Sequence, residues 1–203
     1  MKIFLTLVLA LSFAVLFLTP PHQASADEDK SKDMQAEMMA KWQAYATPGK
    51  GQQVLDQLVG DWEYTVKWWN APGTEPQVST GDSENEWIMG GRFIKADVEG
   101  KSMGQRFEGM GIMGYDNAKK EYTSVWIDTM GTGMMNAPGS YDAAAKTITE
   151  NGSYTDPMTG KGKAYKGVTT FTDKNSYTYE LFTTGPDGKE FRMMEIVYKR
   201  EVE

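Results

Sequence analysis

The chain contains no cysteine and only one histidine, His22, among its 203 residues. Once the segment that holds His22 is removed, a Ser-His-Asp triad, a cysteine nucleophile and a histidine-ligated zinc site are all excluded. Disulfides are excluded too, so packing and sheet closure must stabilise the fold. The remaining chemistry comes from carboxylates, Arg, Lys, hydroxyls, amides, indoles and thioethers, a set that favours binding over catalysis.

The chain also lacks a block of basic residues. It carries 28 acidic and 21 basic residues, and its formal net charge is −7 at pH 7. This balance argues against nucleic acid or an anionic membrane surface as a partner. We therefore expect a small-molecule ligand and no nucleic acid, while the sequence leaves the oligomeric state open.

The long apolar run lies at the N-terminus. Lys2 precedes apolar residues 3–18, prolines follow, and Ala24-Ser25-Ala26 offers small residues for cleavage before Asp27. Since this run is shorter than the roughly 20 residues that span a bilayer, a retained anchor is the weaker alternative. Residues 1–26 are thus predicted to be a cleaved signal peptide. We expect an exported protein, periplasmic or secreted, with no integral membrane segment after cleavage.

Residues 27–49 read as a helical N-terminal extension. Met34, Met38, Trp42 and Tyr45 follow one another at steps of four, four and three, which places them on one face of a helix. Thr47-Pro48-Gly49 should end the helix. This face is expected to dock on the following domain or to cover its mouth.

Residues 50–203 read as a β domain. A short apolar pattern, 54–59, predicts two helical turns, and alternating runs separated by turn residues follow. The runs predict ten strands, at about 62–68, 82–89, 92–99, 105–114, 121–129, 132–141, 147–155, 163–172, 176–184 and 191–200. Because no helical crossover interrupts them, the fold class is mainly β, an antiparallel up-and-down barrel.

Several motifs carry a family resemblance. Gly60-Asp61-Trp62 after a short helix resembles the start of calycin barrels, which include lipocalin, fatty-acid-binding and nitrobindin-like proteins. Over about residues 50–203 the chain resembles the bacterial domain-of-unknown-function family 1579, through motifs at 60–62, 90–93, 114–116, 126–128 and 194–200. The resemblance implies a calycin-like barrel that Trp62 closes at one end, with Arg200 stacked on the indole. It implies no catalytic residues.

Strand parity predicts the ligand contacts. Side chains alternate along a strand, so residues that share the parity of Trp62 should face inward. The candidate ligand-binding residues are Arg92, Tyr64, Trp68, Tyr122, Trp126, Tyr177 and Tyr179. Arg92 could hold an anionic head group, or it could cap the barrel end or pair with Glu84 or Glu86. The aromatic residues could line a hollow interior or simply stabilise the sheet.

The residue types in this chain also limit which metals, cofactors and catalytic groups it could use. The 14 methionines include clusters that suit Cu(I), but methionine also fills irregular cores, and we expect no metal site. Haem is not expected either, because nitrobindin-like barrels ligate it through a histidine. Carboxylates remain as candidates for acid–base chemistry, but none sits in a catalytic pattern: Asp61, Glu63, Glu84, Glu86, Asp128, Glu180 and Glu195.

The sequence therefore predicts an exported barrel that binds a small apolar or amphipathic molecule, which could be anionic. Two alternatives stay open. One is a carboxylate- or arginine-assisted enzyme on the same barrel. The other is a structural barrel with a filled core that acts through its surface.

Overall fold

The computed structural model describes residues 21–201, with side chains from residue 27 onward. Apolar residues 3–18 of the predicted signal peptide lie outside the described residues. Over the described range, no helix is both long enough and apolar enough to cross a membrane. The chain divides into two units, with the boundary between Gln43 and Ala44.

The first unit contains most of helix α1, Pro21–Ala46. Two pairs at i and i+4 support this helix, Glu28 with Lys32 at 3.2 Å and Glu37 with Lys41 at 2.7 Å. The apolar face that the sequence predicts lies on this helix, and its side chains are exposed: Met34, Met38, Trp42 and Tyr45. Its docking on the second unit therefore stays a prediction.

The second unit opens with a short helical segment that contributes to the core. Helix α2 covers Lys50–Leu55, and a 3-10 turn follows at Asp56–Leu58. Gln52 accepts a hydrogen bond from the backbone N–H of Gly49 at 2.7 Å and donates one to the carbonyl of Tyr115 at 2.9 Å. Leu55 and Leu58 are buried. The predicted pair of helical turns is thus anchored to the sheet by side-chain hydrogen bonds and apolar burial.

Ten strands then form a closed antiparallel barrel in which each strand pairs with the next and β1 pairs with β10. The strands are β1 (Gly60–Trp68), β2 (Gln77–Ile88), β3 (Phe93–Ser102), β4 (Gln105–Asp116), β5 (Glu121–Asp128), β6 (Met135–Asp142), β7 (Thr147–Thr155), β8 (Gly162–Asp173), β9 (Ser176–Thr184) and β10 (Glu190–Arg200). The predicted ten-stranded up-and-down barrel is confirmed. Closure leaves no unpaired strand edge. Strand pairing around the whole barrel therefore stabilises a chain that has no disulfides.

Three strand boundaries differ from the sequence prediction by three residues or more, and one of them is the end of β3, at Ser102 rather than near residue 99. Strand β2 begins at Gln77 rather than near residue 82, because its first residues pair with β1 as far as Trp68. Apart from Val78, those residues are polar or glycine, and they show no alternating pattern. Strand β6 begins at Met135, three residues late, because residues 129–134 form the preceding loop.

The barrel has two unlike ends. At the end where β1 begins, α2 and the 3-10 turn pack on the core, and we call this the closed end. The hairpin loops 69–76, 103–104, 129–134, 156–161 and 185–189 share the opposite end, which we call the far end. The buried apolar residues form two separate clusters, one that includes Leu55 and Trp62 and one that includes Ala137 and Leu181. The barrel interior is therefore not one continuous apolar core.

Candidate functional site

Trp62 and Arg200 seal the closed end. The indole is 1% exposed, and its Nε1 donates a hydrogen bond to the carbonyl of Leu58 at 2.8 Å. The guanidinium carbon of Arg200 lies 4.1 Å from the Trp62 ring centroid, and its Nη1 donates to the carbonyl of Val59 at 2.7 Å. The two residues are register partners on β1 and β10. A cation–π contact and two backbone hydrogen bonds thus tie both ends of the barrel chain to the helical segment.

Two of the candidate ligand residues are part of this closed end. Tyr122 is buried and donates its hydroxyl proton to the carbonyl of Gly51 at 3.0 Å. Tyr177 meets Trp62 edge-on, with ring centroids 4.7 Å apart, and stacks on Tyr198 at 4.2 Å. Both belong to the apolar cluster around Leu55. Their contacts are those of core residues that hold the helical segment on the barrel.

Aromatic rings in the middle of the barrel lie flat on the inner wall, opposite glycines. A Cβ added at Gly152 would lie 2.6 Å from the Tyr165 ring, and one added at Gly167 would lie 2.7 Å from the Tyr179 hydroxyl. Glycine is needed at both positions because any larger residue would displace a ring. The same approach recurs for Tyr64 over Gly81 and Gly100 and for Trp126 over Gly109 and Gly111. Rings held against the wall leave the barrel axis less filled than rings that point inward.

Several inward-facing side chains near the middle of the barrel keep accessible surface. Their inward parity follows from the strand register. They are half-buried rather than buried: Val66, Met113, Ser124, Tyr179, Ile196 and Tyr198. Side chains in a close-packed core would be almost wholly buried.

Glu150 is the one charged residue that is fully buried among the described residues, at 4% exposure. It faces inward on β7, directly across from Gly139 on β6 and Gly167 on β8. Ser124 hydrogen-bonds its carboxyl group, but Oε1 accepts no hydrogen bond within the described part of the chain. Burial raises the pKa of Glu150 to about 7, and the Ser124 hydrogen bond opposes that rise. The interior thus holds a carboxyl group that is close to half ionised at neutral pH.

Two tyrosines, Tyr165 and Tyr179, lie near enough to this carboxyl group for its charge to affect their pKa values. Burial raises the pKa of Tyr165 to about 12, and the charge of Glu150 adds to the rise. Burial also raises the pKa of Tyr179 well above its usual value, again with a contribution from Glu150. These hydroxyls therefore stay protonated at any physiological pH and can donate hydrogen bonds. Glu150 with Ser124, Tyr165 and Tyr179 forms the polar part of the interior, which we call the Glu150 site.

The remaining aromatic candidates on β1 and β5 lie between the middle of the barrel and its far end. Trp68 ends β1, opposite Gln77 and Met194, and is 37% exposed. Trp126 is half-buried on β5, and its Nε1 donates to Asp128 Oδ2 at 2.7 Å. Tyr64 is buried between these levels and donates to the carbonyl of Glu99 at 3.3 Å. Of the predicted contacts, the structure thus brings Tyr64, Trp126 and Tyr179 to the middle of the inner wall and Trp68 to its far rim.

Arg92 lies outside the interior. It is exposed in the turn that precedes β3, and its Nη1 donates to the carbonyls of Met89 at 3.1 Å and Gly90 at 3.4 Å. The inward orientation that strand parity predicts is not observed, because the parity rule fails where the strand has not yet begun. The structure therefore separates Arg92 from the aromatic residues that were grouped with it.

The carboxylates singled out in the sequence lie elsewhere. Glu180 and Glu195 both form ion pairs with Arg192, and Glu195 also pairs with Lys67 at 3.0 Å. Glu63 is exposed on β1. Sequence reasoning missed Glu150, although a signal was present. Glu150 shares strand parity with Ile148 and Tyr154, so a charged residue stands on the apolar face of its strand.

The rest of the described residues hold no arranged cluster of metal ligands and one polar depression. No group of three or more acidic or histidine side chains there is arranged to hold a metal ion. An open surface depression of about 460 Å³ lies at the closed end, apart from the Glu150 site, and its lining is polar: Asp173, Lys174, Asn175, Ser176, Lys199 and Arg200. Arg200 and Lys174 are already joined there by a hydrogen bond of 3.1 Å.

A closed antiparallel barrel with a helical segment at one end defines the class of this protein. The chain belongs to the family described as "Protein of unknown function (DUF1579)", whose profile matches residues 47–200. The family predicted from the sequence motifs is thereby confirmed. No curated protein matches the chain.

Solved structures support the same fold. The crystal structure of Rv2717c from M. tuberculosis aligns with a TM-score of 0.58 at 15% sequence identity, over 77% of this chain and 100% of the other. Two redesigned β-barrels also align. The barrel b11L5F_LGL gives a TM-score of 0.39 at 14% identity, over 77% of this chain and all of its own. The barrel mFAP1, solved with DFHBI bound, gives 0.36 at 16% identity, over 75% and 100%. At these identities the first alignment establishes the barrel fold alone, and the other two carry no argument.

Proposed function

We propose that this protein binds a small, largely apolar molecule inside the barrel, with the Glu150 site as its polar contact. The observation that carries the proposal is Glu150 itself. Leaving a buried carboxyl oxygen without a partner costs stability, and such groups in native proteins call for an explanation. A ligand that satisfies Oε1 supplies that explanation, because it offsets in the complex what the free protein loses.

The shape of the inner wall supports the same proposal. Ring faces of Tyr64, Trp126 and Tyr179 offer flat apolar surface, and the half-buried, inward-facing side chains around them keep some accessible surface. Ligand sites are typically apolar cavities with a few polar groups that fix orientation. Entry would take place at the far end, since the closed end is sealed by Trp62. Export to the periplasm or the cell exterior belongs to the same proposal and rests on the signal-like segment 1–26.

The proposal is tested by filling the interior. Ala96 faces inward on β3, and its neighbour Asp97 faces outward. Ala96→Leu should fold with little loss of stability if the interior has room, and it should abolish retention of a co-purified molecule that native mass spectrometry detects in the unmodified protein. Asp97→Leu, the matched control on the outer face, should retain the molecule.

A filled barrel would give the opposite result. In a close-packed core, Ala96→Leu would lower the free energy of unfolding by about 1–3 kcal/mol. That loss, together with an unmodified protein that retains no molecule, would overturn the proposal and favour the structural barrel.

Acid–base catalysis is the second candidate, and the near-neutral pKa of Glu150 favours it, because a general acid or base works best when its pKa lies near the operating pH. Binding and catalysis are separated by the fate of the retained molecule. After release and re-incubation with fresh protein, its mass should stay unchanged if the protein only binds it. If the unmodified protein converts the molecule to a product and Glu150→Gln does not, the protein is an enzyme that uses Glu150.

A further inference from the structure

The charges inside the barrel indicate which head group a ligand of the Glu150 site would carry. The neighbours of Glu150 on the inner face can be read from the strand register. Directly across lie Gly139 and Gly167, and along β7 lie Ile148 and Gly152. None of these can supply a counter-charge. The next inward residues are Tyr165 and Thr169 on β8, which are also uncharged.

Few basic residues face the interior, and none of them lies directly beside Glu150. Lys163 shares the inward parity of Tyr165, but it is four residues from Gly167, toward the far end. Arg200 contacts Trp62 at the closed end. Arg192 pairs with Glu180 and Glu195, and Lys166 pairs with Glu190 at 2.7 Å. Arg92 lies exposed in a turn. An anionic ligand group at the middle of the barrel would thus meet a carboxyl group and no cation, and like charges in a low-dielectric interior repel strongly.

The Glu150 carboxyl group is buried and also lacks a hydrogen-bond donor at one oxygen. A Cβ added at Gly139 would lie 3.0 Å from Glu150 Cγ, so the glutamate side chain lies flat over a glycine. A glycine also stands opposite it on the other neighbouring strand. The two cross-strand positions supply no side chain, so other inward side chains bury the carboxyl group, and none within residues 27–201 donates a hydrogen bond to its Oε1. An ionised carboxylate is an acceptor only, so a ligand donor is what this position lacks.

We propose that the ligand presents a protonated amine or amidine to Glu150, carried on a planar apolar body. This inference rests on the proposed function and names the ligand class for the same site. The charged head would form a charge-assisted hydrogen bond with Oε1, which in a buried site is about twice as strong as a neutral one. The ring faces of Tyr165 and Tyr179, held on the wall beside Glu150, suit a cation and a planar body equally.

A matched series of probes tests the inference. We choose 1-naphthylmethylamine, 1-naphthylmethanol and 1-naphthoate, which share the planar body and differ in head group. Binding is measured by calorimetric titration of the full-length mature protein at pH 7, for the unmodified chain, for Glu150→Gln, and for the exposed control Glu63→Gln. The amine should bind at least about tenfold more tightly than the carboxylate. Glu150→Gln should weaken amine binding by about tenfold, leave binding of the alcohol within about threefold, and leave its fold intact by circular dichroism. Glu63→Gln should change neither.

The outcomes separate the inference from the proposed function. If the carboxylate binds as tightly as the amine, or if Glu150→Gln leaves the amine affinity unchanged, the head-group inference is wrong while alcohol binding still supports the interior site. If none of the three probes binds the unmodified protein, the inference and the proposed interior site fail together. Should Glu150→Gln not fold, Glu150→Asp replaces it, and its shorter side chain should weaken the amine selectively.

Discussion

A carboxyl group that folding removes from water without a counter-ion lowers the stability of the fold when it ionises. Glu150 is in this position, because its nearest polar partner is a serine hydroxyl and its cross-strand neighbours are glycines. Substitution by an uncharged residue is free of that cost. A residue kept at the expense of stability is more consistent with a role in binding than with a role in folding.

The pH dependence of stability should report this cost. The pKa of Glu150 is raised from 4.5 to about 7 in the folded protein. Below pH 4.5 the group is neutral in both states, so its ionisation does not change the free energy of unfolding. Between pH 4.5 and 7 the unfolded chain loses the proton more readily, so stability falls as pH rises, and above pH 7 the loss levels off at about 3 kcal/mol.

Glu150→Gln stays neutral throughout and should lack this decline. Urea unfolding at pH 5, 6, 7 and 8 measures it. We expect the stability advantage of Glu150→Gln over the unmodified chain to be small at pH 5 and to grow to about 3 kcal/mol at pH 8. The exposed variant Glu63→Gln should follow the unmodified chain. Parallel curves for Glu150→Gln and the unmodified chain would show that the carboxyl group is solvated.

At the scale of the strands, the pairing of aromatic rings with glycines fixes the inner wall. A strand that carries glycine is weakened by the lost side chain, but a ring from the neighbouring strand covers the gap and recovers apolar contact. The wall therefore has flat faces rather than interdigitated side chains. This arrangement explains why a chain rich in Tyr and Trp does not form one continuous core.

Gly152→Ala tests this pairing. The new Cβ would lie 2.6 Å from the Tyr165 ring, whereas a Cβ added at Gly162, on β8, meets nothing within 4 Å. We expect Gly152→Ala to lower the free energy of unfolding by about 1–3 kcal/mol, because the ring must move. Gly162→Ala should stay within about 0.5 kcal/mol of the unmodified chain. Equal effects in chemical denaturation would mean that Tyr165 is not held against the wall.

At the scale of the molecule, most of the fold could be predicted from the alternation of side chains along the strands. Turn residues and period-two patterns are local signals, so the ten strands and their order could be predicted from the sequence. The start of β2 cannot be predicted from its own residues, because this segment becomes a strand through its pairing with β1. Strand parity does not predict the position of Arg92, because Arg92 lies in a turn, and the sequence signal for Glu150 is only a single charge on the apolar face of its strand. Residues that barrel closure brings together, such as Trp62 and Arg200, are far apart in the sequence, so their contact could be predicted only from the family resemblance.

The two units should also differ in how much they contribute to the free energy of unfolding. Residues 44–47 are tied to the barrel, since Asn117 Nδ2 donates to the carbonyls of Tyr45 at 2.9 Å and Thr47 at 2.8 Å, while residues up to 43 belong to the first unit. A chain that begins at residue 44 should therefore keep the cooperative unfolding transition of the mature protein, with the same dependence on denaturant apart from the lost helix signal. A chain that begins at residue 59 lacks Leu55 and Leu58 as well, and it should lose several kcal/mol, at about 2–5 kcal/mol for each buried leucine. Circular dichroism and tryptophan fluorescence during urea unfolding measure both. If the chain from residue 44 unfolds without a cooperative transition, α1 is part of the barrel core and the division into two units does not hold in solution.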